Sequence, residues 1–126
     1  MEHPVVAKIL KEGINSVDLS MLEDGKEKEI LNYVGERLYK LNKIPDAVEI
    51  LKKAKNLERL KEMGDELMMQ SRIEVATLCF IPTKDKDRLN KAAALCIKVM
   101  NYQLAAKAYE AAGNTEMVEF LERNFC

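Results

Sequence analysis

Hydrophobic positions recur along the chain at the three-and-four spacing of amphipathic helices. One apolar stripe covers residues 31–41 and consists of Leu31, Val34, Leu38 and Leu41. A second stripe covers residues 44–54 and consists of Ile44, Ala47, Val48, Leu51 and Ala54. Its small residues would let a neighbouring helix approach closely. The pattern predicts two antiparallel helices joined by a tight turn.

This two-helix pattern recurs in tandem at a spacing of 29 residues, from Gly35 to Gly64 and from Gly64 to Ala93. Residues 35–51 align without gaps on residues 64–80 and then on residues 93–109. Each copy has a small residue in its first helix, an alanine in its second helix, and a large residue four positions later. These positions are Gly35, Gly64 and Ala93; Ala47, Ala76 and Ala105; and Leu51, Phe80 and Tyr109. The repeat predicts an all-α fold in which stacked helix pairs bury each other's apolar faces.

Turn-forming residues lie between the predicted helices. Asn42 and Lys43 form the expected turn of the first copy, and Pro45 stands at an early helix position that tolerates its missing N–H donor. Later second helices are expected to end at residues 82–83, where Pro82 stands, and at residues 113–114, where Gly113 stands.

We therefore expect residues 1–126 to form a single helical-repeat domain. Gly25 is expected to separate a degenerate N-terminal helical pair from the first clear copy. The expected segments are residues 1–25 for the N-terminal pair, 28–56, 57–85 and 86–114 for three repeats, and 115–126 for a C-terminal capping helix.

Composition and charge narrow the functional classes. The chain has 126 residues, of which 48% are hydrophobic and 33% charged, and its net charge is -1. A balanced charge gives no general attraction to nucleic acid or to anionic membranes. The N-terminal residues Met-Glu-His-Pro lack the features of a signal peptide, so the expected location is the cytoplasm.

The sequence offers little catalytic chemistry. His3 is the only histidine, and neither a glycine-rich phosphate loop nor a set of metal ligands is present. We expect no enzymatic activity, cofactor or metal. Three cysteines, Cys79, Cys96 and Cys126, follow no known zinc or redox spacing. Core packing is the favoured role of Cys79 and Cys96, and a disulfide or metal pair between them is the alternative.

The small, alanine and large positions of each copy resemble the tetratricopeptide repeat, a helix-turn-helix unit of roughly 34 residues. The resemblance covers residues 28–121 and implies a right-handed α-α superhelix, a solenoid of antiparallel helix pairs. Residues 104–114 also resemble the repeats of clathrin and coatomer heavy chains. The chain departs from the tetratricopeptide pattern in its 29-residue unit, in leucine at the aromatic position of the first helix, and in lacking the closing proline.

The resemblance implies a concave wall lined by outward positions of the first helices, where a peptide or helix of another protein would bind. Ala94 belongs to this set by position. The other partner-binding residues expected there are Asn32, Glu36, Tyr39, Lys40, Lys61, Asp65, Met68, Met69, Asn90, Ile97 and Lys98. Methionine and tyrosine suit adaptable interfaces. The alternative is that the apolar members simply contact neighbouring helices.

Three other functions are alternatives to this adaptor role. A structural module that self-associates without a separate ligand is the runner-up. RNA binding would use a row of lysines, Lys40, Lys61 and Lys98, but acidic neighbours such as Glu36 and Asp65 cancel much of its field. The same acidic side chains disfavour a clamp for a partner's C-terminal carboxylate.

Overall fold

The computed structural model describes residues 6, 10 and 24–125 of the chain, and every regular element among them is helical. This confirms the all-α class. The helices are α1 (Asp24–Lys40), α2 (Ile44–Lys53), α3 (Leu57–Met69), α4 (Ile73–Phe80), a 3₁₀ turn (Ile81–Thr83), α5 (Lys86–Lys98), α6 (Tyr102–Ala111) and α7 (Thr115–Asn124). We refer to α1, α3, α5 and α7 as first helices and to α2, α4 and α6 as second helices.

The chain divides into two compact units, Met1–Asn56 and Leu57–Cys126. In the first unit α1 packs against α2. In the second unit each helix from α3 to α7 packs against the next one along the chain. Consecutive helices in contact are the expected result of short turns between amphipathic helices.

The core of the first unit is built from the two predicted stripes. One buried cluster consists of Val6, Ile30, Leu31, Val34, Leu38, Ala47, Ile50 and Ala54, and the stripe members Ile44, Val48 and Leu51 are buried as well. Val6 and the half-buried Leu10 are helical, and Leu10 packs against this cluster. One predicted stripe member lies outside: Leu41 is 55% exposed, because α1 ends at Lys40 and the backbone turns away there.

The core of the second unit follows the same pattern. The first helices α3 and α5 bury apolar residues at the three-and-four spacing, and the second helices α4 and α6 bury the alanine and the large residue of the repeat. The buried residues at these positions are Leu60, Met63 and Leu67; Leu89, Ala92 and Cys96; Ala76 and Phe80; and Ala105 and Tyr109. Leu121 of α7 is also fully buried. Burying a leucine, methionine or phenylalanine side chain contributes about 1.5–3 kcal/mol, so the large positions supply much of the folding free energy.

Helix ends recur at the spacing of the sequence repeat. Two residues after each of the first helices α1, α3 and α5, a residue has a positive φ: Asn42 (62°), Ser71 (61°) and Met100 (62°). Lys55 (57°), Lys84 (58°) and Gly113 (77°) form a second such series after the second helices. Left-handed residues end helices by directing the following N–H groups back to the last turn. Backbone bonds of this kind include Lys43 N to Leu38 O at 2.9 Å and Asn101 N to Cys96 O at 2.8 Å.

The turn signals agree with the structure except at Gly25. Pro45 lies in the first turn of α2, and α6 ends two residues before Gly113, as expected. The second helix before Pro82 ends at Phe80 and continues as the 3₁₀ turn. Gly25, predicted to lie in a connection, is instead helical and lies within α1 (Asp24–Lys40). The predicted N-terminal pair is otherwise outside the described residues, as is Cys126.

Candidate functional site

Three polar residues predicted to line the concave wall each contact a residue that directly precedes a first helix. In the first unit, Asn56 Nδ2 donates a hydrogen bond of 2.9 Å to Asn32 Oδ1. In the second unit, Asn114 Nδ2 donates a bond of 3.2 Å to Asn90 Oδ1. Each pair spans 24 residues, and the two pairs are related by two repeat spacings. These amides are therefore engaged within the chain.

Lys61 occupies the equivalent position in the middle copy, and its partner there is Asp85. Their charged atoms, Nζ and Oδ2, lie 3.9 Å apart, and Lys61 also contacts Glu58 at 3.4 Å. Asp85 caps α5, because its Oδ1 accepts the backbone N–H of Arg88 at 3.1 Å. Asn114 caps α7 in the same way, with Met117 as donor at 3.3 Å. Asp85 and Asn114 therefore each cap the start of a helix and also contact a side chain of the preceding first helix.

Arg88 of α5 joins two carboxylates, one of which is the predicted site residue Asp65. Its Nε and Nη2 donate to the two oxygens of Asp65 at 3.0 and 2.8 Å, a bidentate arrangement, and Nη1 donates to Asp85 Oδ2 at 2.7 Å. The side-chain hydrogen bonds from Arg88 hold the pKa of Asp65 below its ordinary value. The backbone N–H of Arg88, followed by its side chain, lowers the pKa of Asp85. A planar guanidinium suits such a fork, and the bond ties α3 to α5.

A cleft of about 400 Å³ lies beside this ion pair, between α3 and α5. Its apolar lining consists of Met68, Phe80 and Leu95, of which Phe80 is buried and the other two are half-buried. Its charged lining is more exposed and consists of Asp65, Asp87, Arg88 and Lys91. An apolar base with charged groups around it can receive a hydrophobic side chain and still contact polar groups of the same ligand.

Asp65 and Met68 are the predicted partner-binding residues that this cleft brings together. In the first unit Tyr39 is half-buried and packs against the core, which is the alternative role considered for it. Glu36 is half-buried and Lys40 is exposed at the end of α1. The remaining members in the second unit do not line the cleft. Of these, Met69 is 88% exposed, Ile97 is half-buried, and Lys98 and Ala94 are exposed.

The sequence prediction missed the second wall of the cleft. That wall is formed by Arg88, Lys91 and Leu95 of α5, which stand at a three-and-four spacing along one helix face. In this copy the family pattern directed attention to Asn90 and to positions after the small residue Ala93, whereas this wall begins five positions before Ala93. The spacing of Arg88, Lys91 and Leu95 was a usable signal, and so was the opposite charge of Arg88 and Asp65.

The two internal cysteines are buried, as predicted, and the structure records them as free thiols. Desolvation raises the pKa of Cys79 to about 12 and also raises the pKa of Cys96. The Cys96 sulfur lies 3.4 Å from the hydroxyl oxygen of Thr77, which itself donates to the Ile73 carbonyl at 2.7 Å. Thiols held neutral in this way are poor nucleophiles.

Among the described residues, no group of three or more histidine, cysteine or acidic side chains is placed to hold a metal ion. None of the described helices combines the length and apolar character needed to cross a membrane.

Comparison of the chain with protein-family models, with curated proteins and with solved structures finds no match.

Proposed function

We propose that the chain is a protein-binding module, an adaptor or scaffold, that receives a peptide or helix of another protein on its first helices. In this proposal the helix pairs stack as a right-handed solenoid of about three 29-residue repeats with helical caps. Support for a tandem design comes from the two series of left-handed residues and from the recurring polar pairs. We place this role in the cytoplasm and assign the chain no catalytic role and no cofactor.

The observation that carries the proposal is the cleft between α3 and α5. Met68 and Leu95 leave apolar surface accessible there, and two neighbouring helices supply the walls. An apolar side chain of a partner would cover this surface. Binding would then be favoured by about 25 cal/mol for each Å² of apolar area removed from water. Lys91 and Asp87 at the edge can pair with polar groups of the same segment.

The Asp65–Arg88 pair contributes rigidity to this cleft. Two hydrogen bonds between the guanidinium of Arg88 and the carboxylate of Asp65 link α3 to α5 without a ligand. A preformed site loses less conformational entropy when it binds. We therefore assign Asp65 a positioning role in the cleft wall rather than a direct contact.

A selection from a library of random twelve-residue peptides displayed on phage, followed by titration of the recovered peptides, tests this function. We expect wild-type protein to bind them with micromolar affinity. Leu95→Glu or Met68→Lys should each weaken binding at least tenfold. Lys107→Glu, an exposed change on α6 outside the cleft, is the control and should leave affinity unchanged. Equal affinity of all four proteins would contradict the proposal, as would failure to recover any binder.

Self-association is the alternative function, and exposed aromatic surface at α7 favours it. Phe120 and Phe125 are each 49% exposed, and Met100 is 74% exposed. Apolar groups exposed together often mark an interface between subunits. Sedimentation velocity over a hundredfold concentration range separates the two functions. A dimer that Phe120→Ser disrupts would support self-association, whereas a monomer throughout would exclude it over that range.

A further inference from the structure

A second cleft, of about 460 Å³, opens at the turn between α5 and α6. It lies within the second unit and shares no residue with the cleft between α3 and α5. Its lining includes Glu74 from α4, Met100 and Asn101 from the turn, Tyr102 from α6, and Phe125, which follows α7.

Aromatic rings form one side of this cleft. Tyr102 and Phe125 are stacked, with centroids 4.4 Å apart and planes within 14°. Phe120 leans on Phe125 from α7, at 6.1 Å and 59°. Phe125 is held in place by its backbone N–H, which donates to the Leu121 carbonyl at 2.8 Å. Phe125 remains 49% exposed in this stack.

A carboxylate stands in the same cleft. Glu74 Oε2 accepts a hydrogen bond of 2.6 Å from Asn101 Nδ2. Asn101 is itself fixed, because its Oδ1 accepts the Leu104 N–H at 3.1 Å and caps α6. Among the described residues Glu74 forms no ion pair, and neither lysine nor arginine lines the cleft. The lining carries one negative charge that nothing in the cleft neutralises.

An oriented carboxylate beside aromatic faces is the combination that recognises an organic cation. The face of an aromatic ring attracts a cation, and the attraction strengthens when water is excluded. A guanidinium fits both features, since it stacks flat on a ring and donates two parallel hydrogen bonds to a carboxylate. The exposed Met100 offers apolar surface for the methylene stem of such a side chain.

We propose that this cleft binds an arginine side chain of a partner protein, with Glu74 pairing to the guanidinium and the Tyr102–Phe125 stack contacting its face. The site is independent of the cleft between α3 and α5, so either can fail without the other. A purely local role for Glu74, which would be only to orient Asn101, is the competing explanation and predicts no ligand.

Titration with Nα-acetyl-arginine amide, followed by two-dimensional ¹H–¹⁵N spectra of the whole chain, tests the proposal. Nα-acetyl-citrulline amide is the neutral control of the same shape. We expect saturable shifts at the amides of residues 101–103 and 125 with the arginine compound in the millimolar range, as befits a single side chain. The citrulline compound should require at least fivefold higher concentration. Free arginine should bind no more tightly than the capped form.

Variants separate recognition from local structure. Glu74→Gln removes the charge and keeps an acceptor for Asn101, and we expect it to weaken arginine binding at least fivefold while leaving the spectrum of α6 unchanged. Glu110→Gln, an exposed neutralisation on α6 outside the cleft, should have no effect. Equal shifts from arginine and citrulline, undiminished binding by Glu74→Gln, or absence of saturable shifts would overturn the proposal. Tighter binding of free arginine would overturn the assignment to a protein side chain.

Discussion

Gly64 of α3 lies directly against the ring of Phe80 of α4. A Cβ atom built on residue 64 would come 2.7 Å from both Cδ1 and Cζ of Phe80, closer than side-chain carbons approach. Gly35 has the same relationship to Leu51 in the first unit, where Cδ2 and Cγ would lie 2.7 Å away. The small position of the repeat therefore sets the distance between a first helix and its second helix.

Gly64→Ala tests this close approach. Overpacking against a buried ring costs about 1–3 kcal/mol. The better helix propensity of alanine offsets up to about 1 kcal/mol of that cost. We expect a net loss in the free energy of unfolding, measured by urea denaturation. Gly25→Ala is the matched control, because nothing lies within 4 Å of its added carbon, and it should be neutral or stabilising. Equal stability of the two variants would show that Phe80 moves aside at no cost.

Asn114 serves α7 in two ways that substitutions can separate. Asn114→Ala removes both the cap to Met117 and the bond to Asn90. A lost cap costs about 1 kcal/mol. A lost side-chain hydrogen bond costs about 0.5–1.5 kcal/mol. Asn90→Ala and Asn114→Ser should each lose only the second contribution, since serine still caps a helix. Urea denaturation and amide exchange of α7 measure the differences, and Asn114→Ser as damaging as Asn114→Ala would refute this division.

The Arg88 ion pairs predict a specific acid dependence of stability. The pKa values of Asp65 and Asp85 lie below the ordinary value of 3.8 in the folded chain. Their contribution is therefore fully present above that value and is lost as the pH falls through the lower folded pKa values. Both carboxylates are near solvent, so we expect Arg88→Leu to cost only about 1 kcal/mol at pH 6. At pH 2.5 most of this difference should disappear.

Thermal unfolding at the two pH values, at constant ionic strength, measures this effect. Arg123→Leu is the control, because Arg123 is exposed on α7 and forms no ion pair among the described residues. It should change stability little at either pH. A cost of Arg88→Leu that stays constant from pH 6 to pH 2.5 would mean that the aliphatic stem of Arg88, rather than its charge, is responsible.

Elements governed by local chemistry could be predicted from the sequence. Apolar spacing gave the helices, and Asn42 and Gly113 marked two of the left-handed turns. Leu41 fails as a stripe member because periodicity does not show where a helix ends. Lys55, Lys84 and Met100 were not recognised as left-handed positions, since their side chains carry no turn preference and only the repeat spacing identifies them.

The site was harder to predict, because it depends on how neighbouring helices meet. The family pattern predicted Asp65 and Met68. The wall that contains Arg88 belongs to the next first helix, and it is identified only by the contact between Arg88 and Asp65 in the structure. Glu122 is the residue by which the sequence indicates that the close helix packing of the repeat does not continue into α7. It stands one repeat spacing after Ala93, at the small position, and is exposed on α7, where the close approach seen at Gly64 cannot be repeated.

We propose that a partner segment binds between α3 and α5. Chemical-shift mapping locates such a segment on the chain directly. Two-dimensional ¹H–¹⁵N spectra of the chain, recorded while the tightest selected peptide is added, report the position of the ligand. We expect the largest changes in amide chemical shift at residues 65–68 and 87–95, and we expect these changes to vanish in Leu95→Glu. Changes centred elsewhere, on the second helices or on α7, with residues 65–68 and 87–95 unaffected, would contradict it.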